Sequence, residues 1–179
     1  MPTSPGEGYP HQYESRIALK NGAGVFLRPI LRTDGNLLVD LFNKMSPQAL
    51  YSRFLRRLDA LPEDMIYRFT HIDYVGDFAL AAVIEEDGKD AIIAVGRYAY
   101  EPDDDITDLA VAVRDDWQHL GLGKALLARV VDIGKEHGIL RFGSMMDPRN
   151  NVLRRILFEL GYEMKYSLRS GFFQVEILV

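Results

Sequence analysis

The 179-residue sequence predicts one α/β domain built on a mixed, mostly antiparallel sheet with helices on both faces. Three features point there. Strand-like runs of β-branched and apolar residues recur along the chain, and two of them are separated by the hairpin signal Glu86-Asp87-Gly88-Lys89. Amphipathic helical spacing occurs both before and after that hairpin. A long helix also opens directly on a glycine pair, Gly121 and Gly123, just after a short apolar strand.

Taken in order, residues 1–15 are rich in Pro, Gly and Ser and read as a flexible tail, leaving 16–179 as the folded domain. Val25–Leu31 reads as a first strand. Thr33-Asp34 offers a helix cap ahead of Leu37, Leu38, Leu41 and Phe42. Ser46-Pro47 is a second helix start, with Ser as cap and Pro at the first helical position. Leu61-Pro62-Glu63-Asp64 starts a third. Phe78–Ile84 and Ala91–Tyr100 are strands, followed by an acidic loop and the strand Leu109–Val113. Gly121–His137 is a helix with Leu122, Leu126, Val130 and Ile133 on one face and Gly138 past its end. Arg141–Met146 is a strand, Asn150–Leu160 a helix closed by Gly161, and Tyr162–Leu168 with Phe172–Leu178 a closing strand pair.

Composition narrows the function. Hydrophobic residues make up 47% and charged residues 26%, with a formal net charge of −5, which argues against a nucleic-acid binder. There is no cysteine, so disulfides, an acyl-cysteine intermediate and Cys-based metal sites are excluded. The four His residues are scattered, and no metal is expected. No apolar run is long enough for a membrane span, and the start lacks the regions of a signal peptide, so a cytoplasmic protein without membrane contact is expected.

The stretch from Asp108 to Lys124 carries the chemistry. A strand enters a loop that ends in the glycine pair, and a helix begins there. Unpaired N–H groups and the helix dipole at such a start attract anions, and glycines let a phosphate approach the backbone. Two rival phosphate motifs fail. A Walker A loop would need Gly where Gln118 stands and Ser or Thr where Ala125 stands, and a dinucleotide fingerprint would need a third Gly at Leu126. A bare strand-to-helix turn would use the same glycines.

Gln118-x-x-Gly121-x-Gly123 resembles the Gln/Arg-x-x-Gly-x-Gly/Ala signature of the GCN5-related N-acetyltransferases (GNAT), and Asn150-x-x-Leu153 with Leu160-Gly161-Tyr162 resembles that family's second block. Leu27–Ile30, Ser46-Pro47, Tyr51-x-Arg53-Phe54, Ile72–Tyr74 and Val113–Gln118 are similar to the acetyltransferase domain of bacterial Pat-type protein lysine acetyltransferases. The resemblance implies a GNAT fold with a splayed fourth strand. It implies acetyl-CoA as co-substrate and transfer of its acetyl group to a primary amine, on a protein lysine or a small molecule. It assigns pantetheine contacts to Val111 and Val113, pyrophosphate contacts to Gln118, His119, Leu120, Gly121, Leu122, Gly123 and Lys124, and a further contact to Asn150. GNAT enzymes frequently dimerise, which leaves a homodimer open.

A protonated amine must lose a proton before it attacks a thioester. Pat-like domains have a Glu at the start of the fourth strand; here the matching residue is Asp108, one methylene shorter, with Glu101 and Asp105 in reserve. A strand-edge acid without a catalytic role is the plainer alternative. Strand alternation puts Asp108, Ala110 and Ala112 on one face, where the small side chains leave room for a thioester. The Tyr that many GNAT enzymes use to protonate the thiolate is replaced by Leu157. That departure keeps a second function in view, a non-catalytic acyl-CoA-binding module. The tract Thr33–Tyr74 is expected to form the acceptor wall, with Arg53, Arg56 and Arg57 on a solvated face, the His119 ring in solvent and Trp117 as a packing residue.

Overall fold

The computed structural model describes residues 6–179. One eight-stranded sheet runs in the order β1-β2-β3-β4-β5-β6-β8-β7. Its strands are β1 (Ser15–Ala18), β2 (Gly24–Pro29), β3 (Phe78–Glu86), β4 (Lys89–Glu101), β5 (Ile106–Val113), β6 (Arg141–Met146), β7 (Glu163–Arg169) and β8 (Phe172–Leu178). Every pairing is antiparallel except β5 with β6. The helices are α1 (Gly35–Lys44), α2 (Pro47–Phe54), α3 (Glu63–Thr70), α4 (Leu122–Glu136) and α5 (Asn151–Glu159). None is long and apolar enough to cross a membrane.

The predicted elements form where their local signals stand. Asp87 and Gly88 both take positive φ, as a tight hairpin between β3 and β4 requires. The Ser46 hydroxyl accepts the Ala49 N–H at 3.1 Å, capping α2 with Pro47 in its first turn. One cap is used differently. The Asp34 side chain does not cap α1; it grips the Arg28 guanidinium through two bonds of 2.7 and 2.8 Å and accepts the Leu31 N–H. A buried arginine on β2 needs a carboxylate more than an exposed first turn needs a cap.

Of the stretch 1–15 expected as a tail, residues 1–5 lie outside the described residues. From Tyr9 the chain is packed. The Tyr9 ring is buried, its hydroxyl donates to Glu14 at 3.1 Å with the Pro29 carbonyl 3.4 Å away, and β1 adds an edge strand that the sequence reading did not foresee.

Two cores flank the sheet. Leu122, Leu126, Leu127, Val130 and Val131 of α4, with Leu157 of α5, pack on one face against Leu27, Phe78, Leu80, Tyr98 and Leu109. Leu38 and Leu41 of α1 pack on the other against Ile30, Ala79, Ala81 and Ile92. Glycine permits α4 to lie close. A Cβ on Gly96 would sit 3.1 Å from Leu126 Cβ, and one on Gly134 would come within 2.6 Å of the Phe142 ring, which is fully buried and cannot yield. Gly134→Ala is therefore expected to destabilise by about 1–3 kcal/mol by overpacking, despite about 1 kcal/mol gained in helix propensity. Urea unfolding checks this.

Candidate functional site

The site begins where β5 leaves its neighbour. Only Thr107 and Asp108 pair with β6, opposite Phe142 and Gly143, whereas β4 stays paired along the whole of β5. The Arg114 N–H donates to Ile93 on the β4 side at 2.8 Å. Alternation along a strand then turns the backbone groups of Leu109, Val111 and Val113 toward the gap beside β6. This splayed strand is the fifth in chain order, because β1 precedes the strand expected first. The Gln118 side chain closes the end of the gap, its Nε2 donating to the Val113 carbonyl at 3.0 Å.

The loop after β5 is shaped for an anion. His119 and Gly121 both take the left-handed conformation, at φ 63° and 89°, and Gly121 stands just ahead of α4. The first amide of this turn that finds an acceptor is Ala125, bonded to the Gly121 carbonyl at 3.1 Å. The six N–H groups from His119 to Lys124 have no acceptor among the described residues. Successive unbonded amides at a helix start form a nest with a partial positive charge, the arrangement that receives a phosphate. A Cβ on Gly121 would meet only the Lys20 side chain, 3.6 Å away at Cε, so the flexible arm of Lys20 lies across the loop. The Lys20 N–H also donates to Leu120.

Across the sheet, Asp108 opens on a cavity of about 370 Å³ walled by α3 and the end of α2, with Arg53, Tyr67, Phe69, Arg97 and Glu101 around it. Asp108 is half-buried, and its pKa is pushed up to about 6. Loss of water is the main cause; Glu101 adds to it, and Arg53 and Arg97 oppose it. A carboxylate so placed is ionised at neutral pH yet holds a proton more readily than a solvated Asp, the property a general base needs. A smaller apolar cavity of about 60 Å³ continues inward toward Ala112 under α1 and α2.

One latch joins the two halves. The Ser46 N–H and hydroxyl donate to the two Asp115 carboxylate oxygens at 2.9 and 2.6 Å, tying the start of α2 to the loop that leads to the nest. Removing the hydroxyl in Ser46→Ala is expected to cost about 1 kcal/mol, since it also removes the cap. Urea titration checks this.

A model of the Acetyltransferase (GNAT) family matches residues 41–162, more than half of the chain. The chain belongs to the GNAT acetyltransferase family. It is similar to the curated Acetyltransferase PA5475 of Pseudomonas aeruginosa, 27% identical over 145 residues that cover 81% of this chain and 78% of that protein. Acetyltransferase Pat of Mycolicibacterium smegmatis is 26% identical over 146 residues, 81% of this chain but only 43% of that protein. Among solved structures, the GNAT domain of S. lividans PAT superposes with a TM-score of 0.85 at 29% identity, covering 96% of this chain and 99% of that one. A Salmonella typhimurium putative acetyltransferase solved with its cofactor acetyl-CoA shares the fold at a TM-score of 0.65 and 16% identity. The chain is an acetyl-CoA-dependent N-acetyltransferase with the α/β GNAT fold.

The structure of this GNAT acetyltransferase brings the sequence-predicted residues to two places. Val111, Val113 and the loop from Gln118 to Lys124 line one continuous edge along the gap. Asp108 lies on the opposite face, at the last residue of β5 that pairs with β6. Asn150 caps α5, its Oδ1 accepting the Leu153 N–H at 3.3 Å, and its amide N–H groups have no acceptor among the described residues. Glu101 reaches the cavity mouth, while Asp105 is occupied by the Tyr100 hydroxyl at 2.7 Å. Leu157 is fully buried in the core, and its neighbour Phe158 points to solvent.

Arg53 departs from expectation. It belongs not to a solvated face but to the cavity, where its guanidinium lies over the rings of Phe54 and Phe69. Lys20, Asp115 and Arg97 are the residues that the sequence reading missed. Lys20 and Arg97 lie outside the quoted sequence blocks and reach the site through strand pairing, and Asp115, though within Val113–Gln118, meets Ser46 only when α2 docks.

Proposed function

We propose that this enzyme acetylates a primary amine, on a protein lysine or a small molecule, by direct attack in a ternary complex with Asp108 as the general base. The observation that carries this reading is the desolvated carboxylate of Asp108, placed where β5 turns from paired to free and facing the cavity opposite the cofactor edge. In this reading the amides of His119–Lys124 receive the pyrophosphate of acetyl-CoA. The free edge at Val111 and Val113 pairs with the pantetheine arm, and Asn150 donates to it with the N–H groups its cap role leaves over. Lys20 adds a positive charge above the loop, and Gln118 braces the strand end beside the cofactor.

The reaction needs little else. The amine nitrogen attacks the thioester carbonyl, the new N–C bond forms, the C–S bond breaks, and the amine proton goes to Asp108 while the sulfur leaves with the electron pair. With no cysteine in the chain, no acyl-cysteine precedes this step. Ala110 and Ala112 on the same face as Asp108 leave space for the acetyl group. The guanidiniums of Arg53 and Arg97 disfavour a second positive charge nearby, so an amine in the cavity gives up its proton more easily than in water.

The test follows thiol release and acceptor mass with acetyl-CoA and a panel of amines, amino acids and lysine peptides. Acetylated product matching released thiol is expected for at least one acceptor class. Tight CoA binding without thiol release for any acceptor would identify a cofactor-binding module instead.

A further inference from the structure

The acceptor cavity contains two guanidiniums with no hydrogen-bond or ion-pair partner among the described residues. Arg97 stands on β4 opposite Ala110, and Asp108 on β5 opposite Ala99, so the two are diagonal neighbours on one face of the sheet. Arg53 reaches the same point from the last turn of α2. Both guanidiniums lie over the Phe69 ring, at 4.4 Å for Arg97 and 5.8 Å for Arg53. Arg97 is buried, yet neither arginine makes a hydrogen bond or an ion pair with any described residue. Elsewhere the buried arginines are fully engaged: Arg28 holds Asp34, and Arg114 holds Glu86 and Asp116.

A buried cation without a carboxylate is unfavourable, and an aromatic face offsets only part of that cost. Burial and mutual repulsion lower the pKa of Arg97 to about 10, and burial lowers that of Arg53. Arg53, Arg68 and Arg97 line the cavity with Asp77, Glu101 and Asp108, so the opposite charges are equal in number, yet none of these carboxylates hydrogen-bonds or ion-pairs with Arg53 or Arg97. The donor forks of both guanidiniums are left open to the cavity, and a carboxylate fits that planar fork.

We propose that the acceptor carries a carboxylate close to its reactive amine, and that Arg53 and Arg97 receive this carboxylate while Asp108 takes the amine proton. This rests on the reading that Asp108 serves acetyl transfer to an amine. Diagonal neighbours on adjacent strands lie roughly 7–8 Å apart, so amine and carboxylate belong to one compact group. A free amino acid offers that pair, and so does a lysine beside an acidic residue in a peptide.

The experiment compares matched acceptors with the full chain and acetyl-CoA. One arm sets free amino acids against their carboxamides, and the other sets lysine peptides with a neighbouring Glu against the same peptides with Gln. In at least one arm the carboxylate form should be preferred more than tenfold in kcat/KM, and the responding arm identifies the source. Arg97→Gln and Arg53→Gln should each shrink that preference to within about threefold, chiefly through KM, with CoA affinity by calorimetry retained. Arg53, less deeply placed, carries the test alone if Arg97→Gln does not fold. Equal use of both forms in both arms overturns the proposal while leaving acetyl transfer intact. Absence of thiol release with every acceptor would instead bring down the transfer reading and the proposal with it.

Discussion

Asp108→Asn is expected to lower kcat/KM for the acceptor by about 10²–10⁴-fold, the usual contribution of a positioned general base. CoA affinity should stay close to that of the unaltered chain, because Asp108 lies on the face away from the loop of unbonded amides. The pH dependence is the sharper signature. In the unaltered enzyme the acidic limb of kcat/KM should rise with pH through about 6, as Asp108 loses its proton. In Asp108→Asn that limb should vanish. Asp108→Glu should recover part of the rate, since the carboxylate is retained.

Stability should move the other way. Asp108 has a folded-state pKa raised above its ordinary value, so the folded chain holds its proton where the unfolded chain has lost it. This group therefore favours folding least at pH above about 6 and costs nothing below about 4, where both states are protonated. Asparagine removes the buried charge, and the melting temperature at pH 8 should rise. A variant that is slower yet no more stable would mean that Asp108 is already well solvated, and the argument for a tuned base would fail.

Gly121→Val is expected to weaken CoA binding by at least about 10- to 100-fold with a smaller effect on folding. Gly121 sits at φ 89°, which a β-branched residue adopts only with strain of order 1–3 kcal/mol. The neighbourhood offers no steric obstacle, since an added Cβ would meet only the flexible Lys20 side chain. The penalty is thus one of backbone conformation. Relief of that strain turns amides out of the nest, and each lost bond to a charged phosphate costs about 1.5–3 kcal/mol. Gly123→Ala is the informative companion: its Cβ would sit 3.5 Å from Val113 and 3.7 Å from Ile156, ordinary contacts, and its φ is not left-handed. It should fold normally. Calorimetry with CoA and urea unfolding separate the binding effect from the folding effect.

Much of the fold was legible because its signals are local. The Asp87-Gly88 turn, the Ser46-Pro47 helix start and the Gly138 and Gly161 helix ends each act within a few residues of themselves, and each sits where it was read. The edge strand β1 was missed because Ser15–Ala18 is short and half-exposed. Its strand character comes from pairing with β2, not from its own composition. Asp34 looked like a cap because a cap is the nearest use for an acid before a helix. Its actual use depends on Arg28, which only the β2 register brings within reach.

The same division runs through the site. The glycine pair by itself marks a tight strand-to-helix start with unpaired amides, because these follow from the local chain; its reading as an anion loop, like the choice of Asp108, came from the family resemblance. The sequence alone also sets aside an acyl-cysteine route. What it could not decide is how strongly Asp108 is desolvated, or that Arg53 turns inward beside Arg97 while Ser46 holds Asp115. Those are properties of surfaces that meet across the sheet. Desolvation and charge balance depend on which elements cover a side chain, and that is settled only when α2 and α3 dock on β4 and β5.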